Sequence, residues 1–179
     1  FFVMMSASIV MAQLPGTNAI ATDALGRKLP SAKEVGEPKK DKFVGLFYWT
    51  WHTQPGSKNP PFNVTEYLAR DPKALDDYNN PIWPKRNSPW FWSEPLFGYY
   101  LDTDAWVLRK HAEMLADAGV DVLIFDCTNG NITWKESYMK LCEVFTQARK
   151  DGVKTPQIAF TLPFWLTEGG KEIIREIYK

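Results

Sequence analysis

The sequence predicts a parallel α/β fold. Two observations carry this. Apolar runs with no polar alternation, "KFVGLFYWTW", "VDVLIFD" and "PQIAFTLPF", read as buried strands. They alternate with amphipathic helical stretches closed by Gly119 and Gly152, which is the pattern of βαβ units. A doubly wound sheet and a (β/α)8 TIM barrel both fit this order. A barrel needs roughly 250 residues, whereas 179 residues hold three βα units and stop within a helical stretch. The expectation is therefore a TIM barrel with only its first three βα units present, a truncated chain. Residues 1–12 read as a signal peptide remnant, 13–41 as a linker and 42–179 as the N-terminal part of the barrel.

The segment "FFVMMSASIVMAQ" is apolar, small-residue-rich and uncharged. Val10 and Ala12 stand at the −3 and −1 positions of an export cleavage site. The run is too short to span a bilayer. It predicts export to the periplasm, the cell surface or the medium. The linker is rich in Pro, Gly, Ser and Lys and lacks periodicity. The first strand follows it, and the apolar run predicts burial on both faces. A short helix is predicted from Asn63 to Arg70, with Asn63 as cap and Glu66 at the third position. Prolines, asparagines and aromatics then continue without period to Tyr100.

The next helix starts at Asp102 or Thr103 as cap, places Leu108, Ala112, Leu115 and Ala118 on one face, and stops at Gly119. After the second strand, Thr133 and Glu136 predict a capping box. Trp134, Tyr138, Leu141, Phe145 and Ala148 form that helix's apolar stripe. A third strand ends near Phe164 and Trp165. A last helix begins near Lys171, with Ile173, Ile174 and Ile177 as its apolar positions.

Charge is balanced at 21 basic and 21 acidic residues. Such a chain has no electrostatic case for nucleic acid or an anionic membrane. Cys127 and Cys142 lie in different elements and are expected to be free. With two histidines and no Cys/His cluster, no metal site is expected. Aromatic residues make up 15%, including eight tryptophans. That density suits either a large aromatic core or an amphipathic ligand such as a carbohydrate.

Ligands of parallel α/β folds bind at the C-terminal ends of the strands. That rule selects Tyr48, Trp49, Trp51 and His52 after the first strand, and Asp126, Cys127, Thr128 and Asn129 after the second. The long excursion from His52 to Leu101 must emerge on the same side. Its segment "PWFWSEPLFGYY", half aromatic, is expected to lie over the strand ends as a lid, a sugar-stacking wall or a plug. Asp126 and Glu94 are the candidate catalytic carboxylates. Turn capping by Asp126, and a surface pair of Glu94 with Lys85 or Arg86, are the competing readings. His111 lies beside a helix stripe and reads as structural.

"GYYLDTDAWVLRKHAEMLADAGVDVLIFDCTN", Gly98 to Asn129, resembles a segment of family-99 and family-71 glycoside hydrolases. "VGLFYWTWH" resembles their first strand. The resemblance covers roughly Phe43 to Phe164. It implies a (β/α)8 barrel, export, and hydrolysis of α-linked mannan- or glucan-type glycans without a cofactor. It implies catalytic carboxylates on later strands, beyond Lys179, so this chain alone would be inactive. It also implies that Tyr48, Trp49, His52, Tyr99, Tyr100, Asp126 and Asn129 form the wall that binds the oligosaccharide or polysaccharide. Asp126 departs from relatives with an aromatic-rich strand end. A non-catalytic glycan-binding barrel and a small complete α/β domain are the alternatives.

Overall fold

The computed structural model describes residues 21–36, 39–52, 58, 61–84, 91–92, 94–164 and 169–179. The stretch expected to be a signal remnant, Lys85, Arg86, Trp165 and part of the aromatic excursion lie outside the described residues. The 21–36 stretch has more local order than its composition predicts. Asp23 Oδ1 accepts from the backbone N–H groups of Leu25 and Arg27. Glu34 accepts from Ser31, which opens α1 (Ala32–Val35).

The main elements follow the predicted order. They are β1 (Gly45–Tyr48), α3 (Ala105–Asp117), β4 (Val122–Asp126), α4 (Lys135–Lys150), β5 (Gln157–Thr161) and α5 (Gly170–Ile177). The excursion between β1 and α3 holds β2 (Phe62–Asn63), α2 (Val64–Arg70), a 3-10 turn (Pro72–Asp76) and β3 (Phe91–Trp92). Asn63 caps α2 as expected, accepting from Glu66 N–H at 3.0 Å. β2 and β3 pair in parallel, which closes the excursion on itself.

β1, β4 and β5 form a parallel three-stranded sheet with β4 in the centre. Along β4, Leu123 and Phe125 are fully buried while Val122 and Ile124 are not. This is the period-two pattern of a strand covered on one side. The covering layer is α3 and α4. Leu108 and Ala112 of α3 and Tyr138, Leu141, Phe145 and Ala148 of α4 meet Leu123, Phe125 and Cys127 in one cluster. Their spacing is that of a helix face. Both helices end where predicted. Gly119 and Gly152 adopt φ of +71° and +93°, conformations that disfavour side chains with a Cβ. Asp121 fastens the entry side of the sheet. Its Oδ2 accepts from Val44 N–H, and its carbonyl accepts from Gln157 N–H.

Three expectations change. β1 is not buried on both faces. Among the described residues it is a four-residue edge strand paired only with β4, and Phe47 and Leu46 are exposed. The cap of α3 is Asp104, which accepts from Trp106 and Val107 N–H, and neither Asp102 nor Thr103 fills that role. Thr133 does not cap α4. The N-cap is Trp134, and Thr133 Oγ1 donates to Glu176 of α5. No helix among the described residues is long and apolar enough to cross a membrane.

Phe125 stands on the covered face and Phe47 on the open one. Phe125→Ala is expected to cost about 3–5 kcal/mol in urea unfolding. Phe47→Ser is expected to stay within about 0.5 kcal/mol of wild type. Comparable losses at both positions would contradict a sheet covered on one side.

Candidate functional site

Parallel pairing sends the segments after β1, β4 and β5 to one end of the sheet. Tyr48 pairs with Phe125, so Trp49 follows β1 at the same end of the sheet where Asp126 closes β4. Strand alternation puts Asp126 on the face away from α3 and α4. Trp49 is 53% exposed and stacks on Trp51, with ring centroids 5.1 Å apart and an interplanar angle of 22°. Asp126 is buried, and its Oδ1 accepts from the Thr128 N–H at 3.0 Å and the Thr128 hydroxyl at 2.6 Å. The turn-capping role considered for Asp126 is thus present. Asn129 follows in the same loop and is exposed.

Tyr48 takes the other face. Its hydroxyl and Nδ1 of His111 share a hydrogen bond of 2.8 Å, and its ring packs on Phe125. His111, on α3, also meets Tyr100 edge-on at 5.8 Å. His52 meets Tyr100 edge-on from the other side, at 5.2 Å. Tyr48, His52, Tyr100 and His111 therefore form one cluster, in which the last turn of the excursion is wedged between β1 and α3. Tyr99 faces α2, where its hydroxyl accepts from Thr65 N–H at 3.3 Å. Glu94 is exposed and accepts from the Thr65 hydroxyl at 3.1 Å. It belongs to the excursion's own frame, while Asp126 belongs to the sheet. A cleft of about 430 Å³ opens here, lined by Phe97, Tyr99, Tyr100 and Trp106 among others. Among the described residues no group of three His, Cys, Asp or Glu side chains could hold a metal ion.

Asp102 joins this cluster, although its spacing in "DTDAW" reads as a helix cap. Asp104 performs the capping, which leaves Asp102 to turn inward. It is 9% exposed. Burial raises its pKa, while hydrogen bonds from the Ser137 hydroxyl and the His52 backbone N–H oppose the rise. Its Oδ2 finds no hydrogen-bond partner among the described residues, and neither does Oγ1 of Thr50, which is 2% exposed. Burial, with His111 nearby, lowers the His52 pKa to about 4. Burial also lowers the His111 pKa, and it raises the Tyr48 and Tyr100 hydroxyls, Tyr100 to about 12. Burial thus disfavours the charged form of each of these groups.

These shifts set opposing pH dependences. As pH falls from about 6.5 to about 4, the unfolded chain protonates His52 and His111 before the folded one does, and stability drops. The His52 share is on the order of 2–3 kcal/mol. Asp102 acts in reverse, because the folded state retains its proton to higher pH, so acidification favours folding. In thermal unfolding between pH 4 and 7, His52→Phe is expected to shrink the acid loss. Asp102→Asn is expected to stabilise the protein at pH 7 and steepen the acid loss. Profiles unchanged by either substitution would show that neither group is desolvated.

No protein-family model matches this chain, and neither does any curated protein or solved structure.

Proposed function

We propose that this chain binds α-linked glycans at the C-terminal ends of its parallel strands, as part of an exported (β/α)8-barrel glycoside hydrolase. The observation that carries the reading is the stacked Trp49–Trp51 pair just past β1, at the end of the sheet where Asp126 closes β4. A half-exposed indole backed by a second ring offers a flat apolar platform of the kind a sugar ring covers. A carboxylate at the end of the neighbouring strand supplies a hydroxyl-orienting group. The one-sided helix layer is also what a barrel segment presents, since its other face lines the barrel interior. In this reading Tyr99, Tyr100, His52 and Asn129 extend the wall, and Tyr48 anchors it from beneath.

A second reading is glycan capture without hydrolysis. It is favoured by the bonds from Thr128 that engage Asp126 Oδ1, an arrangement suited to orienting a ligand more than to transferring a proton. Both readings predict that full-length protein binds α-manno- or α-gluco-oligosaccharides. Trp49→Ala is expected to weaken binding about tenfold or more, equivalent to ~1.4 kcal/mol. Asp126→Asn is expected to weaken it less while preserving the fold. Calorimetric titration checks both. Release of reducing ends by wild type separates hydrolysis from capture. Unchanged affinity in both variants would remove the site assignment.

A further inference from the structure

We propose that Trp134 is a positioning residue for the aromatic platform: it braces Trp51, which in turn holds Trp49 in place. The inference rests on the glycan reading of Trp49. Trp134 adopts φ 51° and ψ 50°, and it is the one non-glycine residue with positive φ among the described residues. A bulky side chain in the left-handed region is uncommon and persists only where its surroundings impose it. Glycine or asparagine would adopt this backbone more readily.

The turn is held from both sides. On one side, Thr133 Oγ1 donates to Glu176 of α5, and the Thr133 carbonyl lies 3.8 Å from the Cys127 thiol. On the other, the Trp134 carbonyl accepts from Ser137 and Tyr138 N–H, which starts α4. The constrained backbone delivers the indole to a definite place. It is 6% exposed, and its ring centroid lies 5.9 Å from that of Trp51. Trp51 stacks in turn on Trp49. Three rings thus run from a buried foundation to a half-exposed surface. A lone exposed indole samples several rotamers, and ordering it on binding weakens affinity. A ring backed by two others has already lost that freedom.

The test uses full-length protein and two readouts. The first is the exciton couplet of the stacked indoles in circular dichroism, assigned with Trp49→Ala and Trp51→Ala and needing no ligand. The second is affinity for an α-linked oligosaccharide. Trp134→Asn suits the left-handed backbone but removes the ring. It is expected to diminish the couplet and to weaken binding about tenfold. Trp134→Phe is expected to retain most of both. If Trp134→Asn does not fold, Trp134→Leu keeps the apolar fill without the aromatic plane and is expected to show the same two losses. A folded Asn or Leu variant with an undiminished couplet would overturn the bracing. A lost couplet with unchanged affinity would overturn the role in recognition. Failure of wild type to bind any α-linked glycan would sink the functional reading, while the couplet alone would still decide the bracing.

Discussion

The structure depends on β4 being paired on both sides in parallel register. That pairing aligns Tyr48, Phe125 and Phe160 across three strands. It also fixes which side chains meet α3 and α4. Leu123, Phe125 and Cys127 go into the helix layer, and the intervening residues go to the other face. A one-residue slip of β1 would exchange its faces, turning Phe47 toward the helices and Tyr48 outward. Asp121 guards against such a slip at the entry side, where its side chain and main chain hold the starts of β1 and β5.

Parallel strands also decide where chemistry can gather. Every segment leaving the sheet does so at the end marked by Trp49, Asp126 and Thr161. The excursion after β1 returns to that end and docks by its last turn. Tyr100 lies between His52 and His111, and Asp102 is tied to Ser137 at the start of α4. The junction therefore joins β1, the excursion, α3 and α4 through polar groups removed from water. Such a network is costly where incomplete, as Thr50 Oγ1 and Asp102 Oδ2 are. It fixes the last turn of the excursion between β1 and α3.

The elements that read clearly in the sequence were those set by local periodicity and local chemistry. The stripes of α3 and α4, the apolar run of β4, the cap at Asn63 and the stops at Gly119 and Gly152 each depend on residues within one or two turns. What could not be read depends on partners distant in sequence. The "KFVGLFYWTW" run has the composition of a buried strand, but its burial is set by what lies beside it, and among the described residues β4 is its one strand neighbour. Thr133 and Glu136 have capping-box spacing, yet Thr133 turns to Glu176, more than forty residues on. Asp102 and Asp104 are equivalent as caps by spacing, and only the packing of α3 chooses between them. The strand-end rule places Trp49 and Asp126 at the mouth of the sheet, and Tyr100 is expected there because the excursion must return to the same end. The backing of Trp49 by Trp51 and Trp134 is not legible, because Trp134 has the spacing of an ordinary helix-stripe residue.

Oxidative footprinting of aromatic side chains, read by peptide mass spectrometry with and without an α-linked oligosaccharide, tests the central claim most directly. Trp49 is 53% exposed, and Tyr178, 85% exposed at the end of α5, serves as an internal control. The account predicts that the glycan protects Trp49 while Tyr178 continues to react. Equal reactivity of Trp49 with and without glycan, at concentrations that saturate binding, would contradict it.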